Sequence, residues 1–262
     1  HAAFDSGRTV SRRRMLSFLP AAAMGGLGCS PSGRLTVGAA SSLTEAFLAM
    51  DGTETDYTFA GSQVLRRQVE GGAPLDAVAL ADEAHTRELE DAGLVQDVRA
   101  FAQAAVVLAV RADSPITRFD ELPNANRIIL GTRSVPLGRY TRRILERASS
   151  DRGAAFGDGV MTRVVSEEMN ARLVRARLLS GDAEAAFLYA PDLAQMPPLR
   201  RVPIPSAYAE TATYFCALVS AGMRQAQALR WQRSLDLPEQ RARRTALGFH
   251  DEQRGRAAAG PA

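Results

Sequence analysis

Residues 35–48 read LTVGAASSLTEAFL, and the parsing of this stretch decides the fold. Leu35-Thr36-Val37 is apolar and β-branched and opens just after Pro31 and Gly33, the mark of a short strand. Gly38-Ala39-Ala40 is small enough for a tight turn. Leu43, Ala46, Phe47 and Met50 then recur at the spacing of one helix face. Ser42 stands at the start of that helix with Glu45 three residues on, as in a capping box. Strand, small-residue turn and helix N-terminus together also form an anion site, because the first N–H groups of a helix lack partners. For this stretch alone, a capped helix and an anion-binding turn both remain open.

The pattern recurs further along the chain. Residues 56–60 alternate as a strand, Gly61-Ser62-Gln63 turns, and Val64, Leu65, Gln68 and Val69 follow at helical spacing until Gly71-Gly72-Ala73-Pro74. The uniformly apolar run 77–81 predicts a strand covered on both faces. Helices are expected over 82–93, from the turn 135–140 to near Ser149-Ser150, and over 170–179, 226–235 and 238–247. Strands are expected over 103–110, 128–131, 164–165, 185–189 and 214–219. Residues 197–205, rich in proline, read as a connector. Strands alternating with helices predict an α/β fold with parallel sheets. The strand–turn–helix units at Ser42 and Ser62 are echoed at Leu137 and Asn170, which implies two similar lobes.

The 262 residues are 46% apolar and 23% charged, a soluble globular composition. The formal charge of +3 is accounted for by Arg8, Arg12, Arg13 and Arg14 against Asp5 in the first 29 residues. The balanced remainder implies no nucleic-acid surface. All 32 basic residues are arginine, which excludes P-loop and Schiff-base lysine chemistry. In residues 1–29, Ser11-Arg12-Arg13-Arg14 precedes the apolar run 16–27, too short to span a bilayer, and resembles a twin-arginine export signal. Gly26-Leu27-Gly28-Cys29-Ser30 resembles a lipoprotein processing site, so Cys29 is expected to carry a lipid anchor, with ordinary signal cleavage as the alternative. Cys216 would then be the sole cysteine of the folded part, which rules out an internal disulfide.

Four blocks, LTVGAASSLTEAF (35–47), FAGSQVLRRQVEGGAPLDAVALAD (59–82), VPLGRY (135–140) and NARLVRARLLSGDAEAAFLYAPD (170–192), with a closing Gly248-Phe249, carry a resemblance. In that order they resemble the molybdate-binding proteins of ABC importers, of the type II periplasmic-binding-protein family. The resemblance implies a two-lobed fold, each lobe a mostly parallel sheet flanked by helices, with a hinge between. Residues 33–101 with 205–249 would form the first lobe, 102–204 the second, and 250–262 a disordered tail. It further implies an oxyanion held by the hydroxyls and backbone N–H groups of Ser42 and Ser62, backbone N–H groups at Leu137 and Ala171, and the Tyr189 hydroxyl. Leu137 and Ala171 stand where the family has alanine and valine. The implied protein is a periplasmic or cell-surface monomer, not an enzyme. It would bind molybdate or tungstate, need no cofactor and no directly ligated metal, and partner an ABC importer permease. Its membrane contact would run only through the lipid anchor.

That residue set suits the ligand. Molybdate and tungstate are tetrahedral dianions without a proton, so their site should contain only donors, and hydrogen phosphate would require an acceptor. Sulfate differs from molybdate only in size. Rival readings are another oxyanion, a two-lobed enzyme such as a porphobilinogen-deaminase-like transferase, and a sensory module without ligand. No nucleophile–base pair or metal cluster is visible in the sequence. The alternatives for single residues are ordinary ones: helix caps for Ser42, Ser62 and Asp82, and a locally bonded strand-end tyrosine for Tyr189. Arg139, Arg142 and Arg143 read as a solvated helix face, Glu167-Glu168 as a surface pair, and Cys216 as an inert core thiol. His85 and His250 are isolated and carry no assigned chemistry.

Overall fold

Apolar runs rich in alanine and valine supply the strands, and a computed structural model of the chain describes residues 33–50, 54–194 and 196–251. The expected export segment, Cys29 and residues 252–262 lie outside the described residues. The opening stretch forms β1 (Leu35–Ala40), a 3-10 turn (Ser41–Leu43) and α1 (Thr44–Leu48). There follow β2 (Thr55–Ala60), α2 (Ser62–Glu70), β3 (Ala77–Leu80) and α3 (Glu83–Asp91). The long β4 (Val95–Arg111) leads to β5 (Ile128–Gly131), α4 (Pro136–Arg152), α5 (Ala154–Thr162) and β6 (Val164–Glu168). Next come α6 (Ala171–Leu179), β7 (Ala185–Tyr189), α7 (Ala190–Leu193) and β8 (Leu199–Val202). The described chain closes with β9 (Thr211–Val219), α8 (Gln225–Ser234) and α9 (Pro238–Ala246).

The fold is α/β, with the strands in the order β2-β1-β3-β9-β4-β7-β5-β6 and β8 paired to β4. Pairing is parallel among β2, β1 and β3 and among β7, β5 and β6. It is antiparallel where β9 meets β3 and β4, and where β7 and β8 meet β4. β4 therefore serves two sections of sheet: Val95 to Ala105 pair with β9, and Val106 to Val110 pair with β7. Beside that switch Val106 N–H donates to Glu210 O at 2.8 Å, just before β9 begins. Among the described residues, two passages of chain link the sections through the sheet, at Ala105–Val106 and Glu210–Thr211. β3 and β7 are buried along their whole length, as runs of small apolar residues covered by helices should be.

The short α7 lies outside the sequence expectation, and three further elements depart from it. β4 begins eight residues earlier than Gln103, because register shifts at Gln96/Arg99 and Ala100/Ala102, with Asp97 at φ 53°, break the alternation that would reveal it. α5 is a helix despite Gly157 and Gly159. Packing holds it, with Phe156 against Phe119 at 5.4 Å between ring centres. The expected connector contains β8, whose Leu199 and Val202 face inward while β4 supplies its partners.

Close approach of backbone fixes the start of α4. A Cβ on Gly138 would lie 1.9 Å from Thr132 O and 2.5 Å from Gly131 O, and both obstacles are main chain. Arg142 locks the same junction, its Nη1 donating to Gly131 O and Gly138 O at 2.9 Å each. Gly138→Ala is expected to lower the unfolding free energy by about 3 kcal/mol, measured by urea denaturation. A change under about 0.5 kcal/mol would mean that the junction yields freely.

Candidate oxyanion site

Six strands end where helices or turns begin, and their carboxyl ends surround one small cavity. Ser41 and Ser42 reach it from the end of β1, Gly61 and Ser62 from β2, and Ala81 from β3. Pro136 and Leu137 follow β5, Asn170 and Ala171 follow β6, and Tyr189 ends β7. The structure thus brings together all five residues that the resemblance implies: Ser42, Ser62, Leu137, Ala171 and Tyr189. The cavity measures about 20 Å³ over the positions that the centre of a water-sized sphere can take. That is room for one small ion and not for a sugar or an amino acid. No residue lining it is charged.

Helix N-termini aim at this space. α2, α4 and α6 all begin at its wall, and neither α2 nor α4 carries a side-chain cap. Their first N–H groups and their dipoles present partial positive charge to whatever sits between them. Pro136 occupies the first position of α4 and has no N–H, so Leu137 carries the first donor of that helix.

The expected capping role of the serines is not what the structure contains. Ser42 lies inside the 3-10 turn, whose N-cap, Ala40, makes no side-chain cap. Its Oγ instead accepts from the Tyr214 hydroxyl at 3.0 Å. Glu45, read from sequence as the capping-box partner, pairs with Arg175 at 2.8 Å. Ser62 is the first residue of α2, and its Oγ accepts from Ala81 N–H at 3.0 Å. Asn170 does cap α6, its Oδ1 accepting from Leu173 N–H at 2.9 Å. The side-chain oxygens of Ser42, Ser62 and Asn170 on the wall therefore each already receive a proton from within the protein. The hydroxyls of Ser41, Ser42 and Ser62, the phenol of Tyr189 and the main-chain N–H groups of the helix starts supply the donors at the cavity. Burial pushes the Tyr189 phenol well above its usual range, so it stays a protonated donor.

Contacts between the two sheet sections ring the cavity. Gln63 Nε2 donates to Met169 O at 2.7 Å, Arg139 pairs with Asp82, and Arg175 pairs with Glu45. His85 Nε2 lies 3.3 Å from Ser134 O, and burial lowers the pKa of this histidine. The solvated-face reading is thereby corrected for Arg139 and Arg142, while Arg143 is exposed as expected. Arg139 is half-buried on Asp82, Arg142 is buried on Glu167 at 2.5 Å, and Arg143 pairs with Glu210 at 2.8 Å. Glu167 and Glu168 are likewise not a free surface pair, since Glu168 is buried and holds Arg177 at 2.9 Å. Asp82 caps α3 as expected, accepting His85 N–H at 3.2 Å. Cys216 is buried, and its thiol is pushed up to about 12. His250 pairs by main chain with Gln103. No group of three potential metal ligands occurs among the described residues.

Sequence reasoning missed Tyr214, the Ala81 N–H and Gln63. Tyr214 sits in an apolar strand with nothing local to mark it, whereas the N-cap position of Asn170 before a helix was a readable signal.

Beneath Tyr189, Asp192 is buried and accepts the Tyr189 N–H at 3.0 Å. Burial pushes its carboxyl up from 3.8 to about 7. The folded chain thus holds a proton that the unfolded chain releases. The associated stability is complete below the unfolded value and is lost as pH rises toward 7. Relative to Asp192→Asn, which keeps an acceptor for Tyr189, the wild type should lose up to about 1.4 kcal/mol per pH unit across that window. Urea unfolding over a pH series checks this, and parallel profiles for the two proteins would contradict it.

Comparison with known proteins gives the same outline. A family model described as bacterial extracellular solute-binding protein matches residues 35–250. The molybdate-binding protein ModA of Mycobacterium tuberculosis is 31% identical over 171 residues, covering 60% of this chain and 61% of that protein. The chain thus spans about three-fifths of that relative's length. Among solved structures, the periplasmic molybdate-binding protein of Azotobacter vinelandii aligns with TM-score 0.70 at 17% identity, covering 83% of this chain and 99% of that one. The sulfate-binding protein SubI of M. tuberculosis aligns with TM-score 0.71 at 18% identity, covering 86% and 89%. At such identities these two structures bear on the fold alone.

Proposed function

The chain belongs to the bacterial extracellular solute-binding protein family, and from that premise we propose that it captures molybdate or tungstate and delivers it to an ABC importer. One observation carries the choice of ligand: the side-chain oxygens of Ser42, Ser62 and Asn170 are all occupied from behind, so these walls offer the ligand donors. An ion without a proton satisfies such a wall completely. Hydrogen phosphate would bring an O–H to a wall that holds no carboxylate to accept it, and an unmade buried hydrogen bond is costly. The small, uncharged cavity supports an ion of a few atoms held by dipoles and hydroxyls. Ser42, Ser62, Leu137, Ala171 and Tyr189 are the proposed contacts. No residue ligates the metal directly.

Sulfate shares molybdate's charge and lacks a proton, so cavity size must separate the two. Molybdenum–oxygen bonds are the longer, and a cavity shaped to them leaves donors unpaired around sulfate. The relative named for molybdate supports the first choice, and the fold shared with a sulfate-binding protein keeps sulfate as the alternative. Capture proceeds by closure of two lobes hinged where β4 and β9 pass between the sheet sections. Ser42 and Ser62 stand on one side and Leu137, Ala171 and Tyr189 on the other, so a bound dianion favours the closed form by bridging them. Lipidation at Cys29 would hold the protein at the outer face of the membrane beside its permease.

Titration calorimetry of the wild type should show binding of molybdate and tungstate, weaker binding of sulfate, and none of phosphate at the same concentrations. Ser42→Ala and Tyr189→Phe should each weaken molybdate binding by about 10- to 100-fold with the unfolding midpoint little changed. Unchanged affinity in both variants would remove those residues from the site, and a wild type indifferent to every oxyanion would overturn the reading.

A further inference from the structure

A serine hydroxyl does not by itself choose between donating and accepting. It rotates, and a free Oγ would accept a proton from a protonated anion as readily as it donates to an unprotonated one. At Ser62 the choice is made by main chain, the Ala81 N–H at 3.0 Å. At Ser42 it is made by a side chain, the Tyr214 hydroxyl at 3.0 Å. Both partners of that bond are buried. The phenol is the more acidic hydroxyl, so it donates and the Ser42 proton is left to point elsewhere. Tyr214 has no freedom to withdraw. Its ring is packed edge-on against Phe249 at 5.4 Å, Tyr189 at 6.0 Å and Phe101 at 6.4 Å. Tyr214 itself does not line the cavity.

We propose that Tyr214 is a positioning residue for ligand selectivity: by donating to the Ser42 oxygen it leaves the serine proton for the cavity, so that Ser42 meets the ligand as a donor and discriminates against anions that carry a proton. The inference rests on the oxyanion reading above and assigns one side chain the task of enforcing it. Tyr189, by contrast, meets the ligand directly. Of the two serine-orienting donors, Tyr214 alone can be removed by substitution, because the other belongs to the main chain.

The test compares wild type, Tyr214→Phe, Ser42→Ala and the double variant by calorimetry with molybdate, sulfate and inorganic phosphate, at a pH where phosphate is mostly the hydrogen phosphate ion. Tyr214→Phe should weaken molybdate and sulfate alike by about 5- to 10-fold, and the molybdate-to-phosphate affinity ratio should narrow by at least as much. An equal loss for all three anions is the signature of a merely structural residue and overturns the proposal. With Ser42→Ala already present, adding Tyr214→Phe should change molybdate affinity by less than about 2-fold, because the tyrosine acts only through that serine. A further large loss there also overturns it. That second comparison holds even if Tyr214→Phe alone does not fold, since the double variant leaves neither partner of the hydrogen bond unpaired. A wild type that binds none of the three anions overturns the oxyanion reading and this inference together. A wild type that binds, with its ratio unchanged in Tyr214→Phe, overturns the inference alone.

Discussion

Three helices and one 3-10 turn begin at the wall of one small cavity, and the first backbone N–H groups at those starts have no partner within their own helix. The rest of the molecule is arranged around that convergence. Parallel strands are what allow it: each of β1, β2, β5 and β6 runs toward the cavity and releases a turn or helix there. Positive potential is thus built from dipoles rather than from cations. A lysine or arginine in the cavity would attract any anion. Fixed dipoles and hydroxyls, with no carboxylate beside them, favour those whose surface is rich in acceptors.

The many arginines are placed outside the cavity and answered there. Asp82 holds Arg139, Glu45 holds Arg175, and Glu210 holds both Arg143 and Arg147. Two of these pairs, with the Gln63–Met169 hydrogen bond, join one section of sheet to the other around the cavity. Half-exposed ion pairs of this kind contribute little to stability, on the order of 0–1 kcal/mol each. Their geometry suits them to fixing how the sections meet, since each demands a particular alignment of α1, α2 or α3 against α4 or α6.

β4 runs without a break through both sections of sheet. A single strand pairs with β9 over one part and with β7 over the next, so each section keeps its own ladder of hydrogen bonds while, among the described residues, two passages of chain run between them. The aromatic cluster of Phe101, Tyr214, Tyr189 and Phe249 lies close to this passage and also backs Ser42, so the hinge region and the ligand wall share packing.

Local pattern was enough to find the strand–turn–helix junctions. Ser42, Ser62, Leu137 and Ala171 each follow a short apolar run and precede residues at helical spacing, and Tyr189 ends a run that is buried throughout. Those signals reside within a dozen neighbouring residues, so the sequence alone determined where helix starts would fall and which residue types would stand at them. Elements defined by distant partners were not legible. β8 hides in a proline-rich connector, the first half of β4 in bulges, and Arg139 and Arg142 look solvated until Asp82 and Glu167 arrive from elsewhere. Tertiary structure alone decided the chemistry of the wall. A serine can donate or accept, and the choice at Ser42 was made by a tyrosine 172 positions away in the chain.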